Sequence, residues 1–274
     1  MSDANPVSTA VPAARMPTWF IPHGGGPCFF MDWNPPEAWD KMAAFLKGQA
    51  ATLPAAPKAI LLVSAHWLEP QFSVTSGAQP ALIYDYYGFP PETYALQYPA
   101  PGLPALAQRA SELLLAAGLP AQVDADYGWD HGVFIPLKVM YPQADVPVVA
   151  MSLQASLDPA LHCQLGAALS PLRDEGVLIV GSGMSYHNLR QFAQAAPLSH
   201  DFHDWLDSAL QGTRAQRAEH LAQWRRAPGG LASHPREEHL LPLMVASGAG
   251  SDGPGRSLWR GAVGPSALGA WAFD

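Results

Sequence analysis

Short aliphatic runs alternate along the chain with segments in which apolar residues recur every three or four positions. Residues 58–64 (KAILLVS), 146–152 (VPVVAMS) and 177–181 (VLIVG) are the clearest runs. Continuous aliphatic runs of this length are typical of strands that are covered on both faces. Residues 158–173 have the helical pattern instead, with Asp158 in the N-cap position. The alternation predicts an α/β fold: a single domain with a central, mostly parallel or mixed sheet flanked by helices.

The same patterns place the remaining elements and the domain boundary. Further strands are predicted at residues 17–22, 72–76, 122–124 and the C-terminus, and further helices at residues 37–50, 103–117, 199–210, 214–224 and 238–247. Residues 1–15 are rich in Ala, Pro and Ser and are predicted to form a flexible tail. Residues 16–274 then form the one folded domain. An aromatic, proline-rich stretch at 79–101 either lines a binding site or packs as ordinary structure.

Composition and charge exclude several classes of protein. The chain is 49% hydrophobic and only 14% charged, which excludes a disordered or fibrous protein. It has 15 Lys and Arg against 23 Asp and Glu, a net charge of −8, and its basic residues do not cluster. Nothing in this distribution attracts a polyanionic backbone, so nucleic acid is not expected as a partner.

Cysteine content and hydropathy predict the compartment. Cys28 and Cys163 are the only two cysteines and neither belongs to a C-x-x-C pair, so a disulfide framework or thiolate zinc site is not expected. The first residues lack the basic and apolar regions of a secretory signal. The longest apolar runs are far shorter than the roughly 20 residues that cross a bilayer. We therefore predict a cytoplasmic protein with no membrane partner.

Three histidines follow three of the predicted strands. His23 comes after residues 17–22, His66 after residues 58–64, and His187 after residues 177–181 and a short glycine-containing turn. A single histidine in such a place is more often a hydrogen-bonded loop residue than a ligand. However, the carboxyl ends of parallel strands meet at one edge of a sheet, so the three imidazoles are expected to converge. Neutral imidazole binds iron, zinc, copper and nickel well, and the pattern therefore predicts a metal site.

Other histidines offer alternatives. His239 stands at a predicted helix start behind acidic residues, and is either a ligand or an exposed residue whose neighbours favour the helix dipole. His234, five positions earlier, could serve in its place. His131 lies between Gly128 and Gly132, which permit the backbone to approach a ligand closely. The remaining four are predicted to lie on polar, solvated helix faces: His162, His200, His203 and His220.

Five short motifs in order carry a resemblance to a known family. They are the H-G-G-G-P turn at 23–27, S-A-H-W at 64–67, D-H-G at 130–132, G-S-G at 181–183 followed by H-N-L at 187–189, and H-P at 234–235 followed by E-H at 238–239 and L-P-L at 241–243. Together they resemble the class III extradiol ring-cleavage dioxygenases of the LigB superfamily, specifically the DOPA-dioxygenase-like branch. The resemblance extends from about residue 17 to the C-terminus.

The resemblance implies a non-haem Fe(II) enzyme that opens a catechol ring beside its two hydroxyls. It implies His23, His66 and His239 as metal ligands. It implies His187 as the group that takes a proton from the catechol and returns one later, which imidazole can do near neutral pH. His131 is implied as a second hydrogen-bonding partner of substrate or dioxygen. Some members of the family use the position of His187 as an additional zinc ligand.

The third ligand is a glutamate in much of the superfamily, whereas the DOPA-like branch has histidine there. Glu237 or Glu238 therefore remains a candidate for a two-histidine, one-carboxylate site. An all-histidine set also suits Zn(II).

The leading functional hypothesis is cleavage of a DOPA-like or other substituted catechol with O2. The alternatives are a zinc-binding protein of the same fold without ring-cleaving activity, in which His187 closes a four-ligand site, and a zinc hydrolase with His131 as general base. The oligomeric state is left open.

Overall fold

The computed structural model describes residues 14–274. The tail predicted over residues 1–15 therefore lies, except for its last two positions, outside the described residues. Near the start of the described residues, Met16 is bonded to Arg173: the backbone N–H of Met16 donates to the carbonyl of Arg173 at 3.1 Å, and the buried guanidinium of Arg173 donates back to the Met16 carbonyl at 2.7 Å.

One mixed sheet runs through the described residues. Its eight strands are β1 (Thr18–Pro22), β2 (Ala59–Glu69), β3 (Ser73–Thr75), β4 (Gln122–Asp124), β5 (Val148–Gln154), β6 (Val177–Gly183), β7 (Arg256–Val263) and β8 (Ser266–Phe273). Their order across the sheet is β4-β3-β5-β2-β6-β1-β8-β7. The four central strands, β5, β2, β6 and β1, are all parallel, and β8 joins β1 in the antiparallel sense. The predicted central, mostly parallel or mixed sheet is confirmed.

Helices cover both faces of this sheet. Within residues 14–274 they are α1 (Asp40–Gln49), α2 (Pro104–Ala116), α3 (His131–Met140), α4 (Pro159–Leu169), α5 (Leu198–Ala209), α6 (Arg214–Leu221), α7 (Gly230–Ser233) and α8 (Leu241–Ala249). Successive side chains of a strand point to opposite faces. In β2, Leu61 and Val63 pack with the side chains of α2, α4 and α8, while Ile60 and Leu62 pack with those of α1 and α3. Two apolar cores result, one on each face.

Among the element boundaries that differ from prediction, two concern histidines of interest. β2 does not end near residue 64 but continues to Glu69, so His66 lies inside the strand. The helix predicted from residue 238 begins at Leu241, so His239 lies in the loop before α8. The reason is that the carbonyl of His239 accepts a hydrogen bond from the backbone N–H of Met184, next to β6, and is not used in a helix.

Two of the four histidines predicted to be solvated are buried, so that prediction was wrong for His162 and His203. The neutral ring of His162 donates from Nδ1 to the carbonyl of Asp158 at 2.7 Å and accepts at Nε2 from the backbone N–H of Gln154 at 3.2 Å. The side chain of His162 therefore faces the interior, where it accepts a hydrogen bond from the backbone of β5. His203 lies against Trp271 and within 3.4 Å of the carboxylate of Asp207.

The other two, His200 and His220, are exposed as predicted. The predicted N-cap is also confirmed: the Asp158 carboxylate accepts from the backbone N–H groups of Ala160 and Leu161. No helix among residues 14–274 combines the length and the apolar character needed to span a bilayer.

Candidate metal centre

His23 is placed by the pairing of β1 with β6. Pro22, the last residue of β1, lies opposite Gly183, and the backbone N–H of His23 donates to the carbonyl of Gly183 at 3.3 Å. The buried ring contacts Ser182 Oγ through Nδ1 at 3.1 Å, and the Ser182 hydroxyl donates to the carbonyl of Gly132 at 2.5 Å. Because the Ser182 proton is committed to Gly132, Nδ1 of His23 must be the donor. Its Nε2 lone pair is left free.

His66 is directed into the site by an irregularity in β2. The register of β2 with β5 shifts between Val63 and Leu68, and such bulges commonly redirect a side chain beside a functional site. The Nδ1 atom of His66 lies 3.6 Å from Oδ2 of Asp85, which is longer than a hydrogen bond. The Nε2 atom faces the opposite way, toward the other two histidines.

His239 reaches the site because its backbone packs unusually close to β6. A Cβ atom on Gly183 would lie 2.2 Å from the carbonyl oxygen of His239, so only glycine fits at this position. The backbone hydrogen bond from Met184 to this carbonyl, 3.0 Å long, fixes the approach. The ring is buried, and its Nδ1 lies 3.2 Å from Oε1 of Glu238, which accepts the Nδ1 proton. The Nε2 lone pair is again free.

The three Nε2 atoms converge. His66 Nε2 lies 3.2 Å from His23 Nε2 and 3.2 Å from His239 Nε2, and the three histidines form a group whose ligand atoms all lie within 4.8 Å of one another. Nitrogen ligands at about 2.1 Å from one metal ion, separated by about 90–110°, are roughly 3.0–3.4 Å apart. This donor set therefore fits a divalent transition metal ion.

Burial keeps the three imidazoles in the neutral form that binds metal. Burial, followed by the neighbouring histidines, lowers the pKa of His23 and of His239 well below the ordinary value. Burial, with His131 next, lowers the pKa of His66 to about 3, although Asp85 opposes the shift. At neutral pH no proton therefore has to be displaced before a metal ion binds.

His131 and His187, the two predicted catalytic residues, flank this group on different sides. His131 begins α3, and its ring lies 3.9 Å from that of His66. His187 is held by a hydrogen bond from its backbone N–H to the carbonyl of Ser233, and its ring stacks on that of His239 at 3.3 Å. Burial and then His131 lower the pKa of His187 to about 4.

Two of the alternatives from the sequence lie elsewhere. His234 is buried, with Nε2 3.0 Å from the carbonyl of Ser185, and does not belong to the group of three. Glu237 pairs with Arg225 at 2.6 Å. Glu238 does lie at the site, but its carboxylate contacts the Nδ1 atom of His239, not the converging Nε2 atoms.

Sequence reasoning missed Asp85. This residue is partly exposed in the stretch between β3 and α2, and its Oδ1 accepts from the backbone N–H of His131 at 2.9 Å and from Nδ1 of His131 at 2.8 Å. Burial raises the pKa of Asp85, but the bonds and charges of His131 and His66 outweigh it and hold the pKa below its usual value. The sequence feature that could have identified Asp85 is its place as the single acidic residue within an aromatic run, Tyr84–Phe89 (YDYYGF).

Asp130, the neighbour of His131, is linked to His66 through the hydroxyl of Ser64. It is fully buried, and Ser64 donates to its Oδ1 at 2.7 Å. Burial, with Asp85 next, raises the pKa of Asp130 to about 6. The same Ser64 oxygen accepts from the backbone N–H of His66 at 3.2 Å. Asp130 thus connects the start of α3 to the histidine of β2.

A cavity of about 530 Å³ opens onto the converging histidines. Its volume lies in the range of pockets that hold small organic ligands. Besides the five histidines of the site, its wall consists of Gly24, Gly25, Gly26, Trp33, Trp39, Tyr86, Tyr87, Phe89, Met184, Tyr186, Leu189 and Phe192. Among these described lining residues none is Lys, Arg, Asp or Glu. The cavity therefore presents aromatic and apolar walls together with the five imidazoles.

Comparison with known proteins identifies the family of this chain. Residues 18–268 match the family described as the catalytic LigB subunit of aromatic ring-opening dioxygenase, and the chain belongs to this family. The predicted family is thereby confirmed. The chain is 41% identical over 208 residues to dioxygenase tasH of Hapsidospora irregularis, a match that covers 70% of this chain and 64% of tasH.

Other relatives match over more of their length. The chain is 38% identical over 240 residues to a 4,5-DOPA dioxygenase extradiol of Portulaca grandiflora, with 86% of each chain covered. In structure it resembles the uncharacterized protein JW3007 from Escherichia coli K12, with a TM-score of 0.72 and 33% identity over 95% of this chain and 100% of that chain.

Proposed function

We propose that residues 16–274 form one catalytic domain, an Fe(II)-dependent extradiol dioxygenase that cleaves the ring of a catechol with O2. The observation that carries the proposal is the convergence of three neutral Nε2 atoms on histidines that line an aromatic cavity. Family membership supports the same reaction class. Relatives named 4,5-DOPA dioxygenase support a DOPA-like or other substituted catechol as substrate.

His23, His66 and His239 would hold the metal ion. Each of these rings has its Nδ1 atom directed at an oxygen atom of Ser182, Asp85 or Glu238. When bound, Fe(II) would bring catechol and O2 together at one site, so that no external reductant is required. The same three ligands also suit Zn(II), so the identity of the metal is part of the proposal.

His187 would take a proton from a catechol hydroxyl and return one at a later step. Its low pKa keeps it unprotonated, and therefore able to accept a proton, at neutral pH. His131, on the opposite side of the group, would donate or accept a hydrogen bond from substrate or dioxygen. Its Nδ1 atom is engaged by Asp85, so its Nε2 atom is the one available to the ligand.

The cavity walls would bind and orient the planar ring. Tyr86, Tyr87 and Phe89 line one wall and come from the aromatic stretch between β3 and α2. Flat aromatic surfaces stack against or pack edge-on to a catechol ring and exclude water from the reacting atoms. A charged substituent on the substrate would have to extend out of this wall toward solvent, because the lining residues described above carry no carboxylate, ammonium or guanidinium group.

The test is oxygen uptake by anaerobically loaded Fe(II) protein mixed with a panel of catechols. We expect one O2 to be consumed per catechol, with formation of a yellow ring-opened semialdehyde. His187→Gln should lower kcat by about 100-fold to 10,000-fold at unchanged iron content. His220→Gln, a change of an exposed histidine outside the cavity, is the matched control and should behave as the parent protein.

The outcome that contradicts the proposal is bound iron without oxygen uptake across the panel. The competing function, a protein that holds zinc without ring cleavage, requires a fourth protein ligand. The group of three described histidines does not include His187, and this geometry favours an open site. Hydrolysis of model esters that a chelator abolishes would favour the zinc hydrolase instead.

A further inference from the structure

Four of the five histidines at the site form two pairs, and each pair shares one carboxylate. We name them the Asp85 cluster (His66, Asp85 and His131) and the Glu238 cluster (His187, Glu238 and His239). Each cluster joins one histidine of the converging group to one histidine outside it. The two carboxylates come from unrelated parts of the chain, so the likeness does not follow from a local sequence repeat.

In the Asp85 cluster the two carboxylate oxygens have different partners. Oδ1 accepts from His131 twice, from the ring Nδ1 at 2.8 Å and from the backbone N–H at 2.9 Å. Oδ2 lies 3.6 Å from Nδ1 of His66. The two rings are in contact, with centroids 3.9 Å apart. One carboxylate therefore faces the Nδ1 atoms of both rings.

In the Glu238 cluster a single carboxylate oxygen faces the Nδ1 atoms of both rings. Oε1 lies 3.2 Å from Nδ1 of His239 and 3.7 Å from Nδ1 of His187, and the two rings stack with centroids 3.3 Å apart. Arg236 approaches the other oxygen, Oε2, at 3.7 Å. Here the shorter contact is to the histidine of the converging group, whereas in the Asp85 cluster it is to the histidine outside it.

We propose that Asp85 and Glu238 are positioning residues, each of which sets the tautomer and orientation of one metal-holding histidine and one proton-transferring histidine at the same time. The inference rests on the proposed function for the roles of the four histidines. It adds that metal binding and the proton-transfer groups are coupled through these two carboxylates.

The geometry separates this role from direct metal binding. Each cluster contains two histidines and a carboxylate, a ligand set that suits Fe(II). However, both carboxylates contact Nδ1 atoms, on the edge of the ring away from the Nε2 atoms that converge. Glu238 accepts the Nδ1 proton of His239 at 3.2 Å, and Asp85 faces the Nδ1 atom of His66 at the longer distance of 3.6 Å. Both arrangements leave the Nε2 lone pair for the metal, which is how outer carboxylates support histidine ligands.

The first experiment measures zinc affinity by competition with a chromophoric chelator, a readout that needs no turnover. Asp85→Asn retains the shape of the side chain but replaces one of the two acceptor oxygens by a donor, so the amide cannot accept from both Nδ1–H groups. Glu238→Gln can retain the one oxygen that faces both rings, but it removes the negative charge that strengthens those contacts. We expect each to weaken zinc binding by about 10-fold to 100-fold. The matched controls are Asp126→Asn, at an exposed acidic residue, and Glu237→Gln, at the neighbour of Glu238 that pairs with Arg225. Both should retain the parent affinity.

The second experiment records the imidazole nitrogen resonances of the zinc-loaded, ¹⁵N-labelled protein, which report the tautomer of each ring. Asp85→Asn should shift the resonances of His66 and His131 alone, and Glu238→Gln those of His187 and His239 alone. If Asp85→Asn fails to fold, Asp85→Glu retains the charge but moves it by one methylene. Asp85→Glu should then give a smaller loss of zinc affinity and shift the nitrogen resonances of the same two rings, His66 and His131.

Three results would overturn the proposal: unchanged zinc affinity in the folded amide variants, resonance shifts that do not follow the two pairs, or more than one tightly held zinc ion per chain. The last would make the clusters metal sites themselves. Failure of the proposed function is distinguishable, because loss of zinc affinity with paired resonance shifts, in a protein that cleaves no catechol, would support the positioning role and refute only the reaction.

Discussion

Gly183→Ala tests whether the close packing of β6 against the loop before α8 sets the position of His239. The added Cβ atom would lie 2.2 Å from the carbonyl oxygen of His239, whereas ordinary contact begins at 3.4 Å, so the two atoms must separate by about 1.2 Å. The carbonyl belongs to the same residue as the ring, so the ring moves with it. Metal–ligand distances tolerate only about 0.2 Å.

We expect the variant to fold with a loss of about 1–3 kcal/mol in the free energy of unfolding, the usual cost of overpacking. Its affinity for Zn(II) or Fe(II) should fall by at least about 10-fold, since one of three ligands is displaced. Chelator competition measures the affinity and urea unfolding measures the stability.

Gly102→Ala is the matched control. Its Cβ atom would lie 2.0 Å from the carbonyl oxygen of Gly77, a clash of the same kind that involves none of the site histidines. This control should lose stability while retaining metal affinity. A folded Gly183→Ala protein with the parent affinity would refute the reasoning, because His239 would then be either no ligand or free to adjust.

Three further predictions concern the histidines. Ser182→Ala removes the acceptor of the Nδ1 proton of His23 and should weaken metal binding by about 10-fold in the chelator assay. An unchanged metal affinity would mean that other contacts hold the tautomer of His23. A divalent metal at about 100 times its dissociation constant should raise the free energy of unfolding by about 2.7 kcal/mol, and EDTA should reverse the gain in a thermal melt. Burial lowers the pKa of His162 to about 4, so the folded state binds a proton at this ring less readily than the unfolded state. The contribution of the neutral ring to the free energy of unfolding is therefore fully present above pH 6.5 and is lost as the pH falls toward 4. His162→Gln should therefore reduce the fall in unfolding free energy between pH 6.5 and 4 by up to about 3 kcal/mol in urea titrations, and an unchanged slope would contradict the assignment.

The sequence by itself determined the architecture and the general location of the site. Aliphatic runs and helical periodicities are local patterns, and they predicted a sheet covered on both faces because each strand needs two apolar layers. The histidines after residues 17–22 and 58–64 were predicted to meet because parallel strands end at one edge. His23 and His66 do so, with Nε2 atoms 3.2 Å apart.

The tertiary structure decided which atoms of those histidines face one another and what holds them. Asp85 reaches His131 across 46 positions and His239 reaches His66 across 173, and no local pattern encodes either contact. The burial of His162 has the same origin: its helix position looks polar, but a backbone N–H of β5 needed an acceptor there. Periodicity reports how one segment divides between apolar and polar surroundings, whereas tautomers and shared carboxylates depend on which segments pack together in three dimensions.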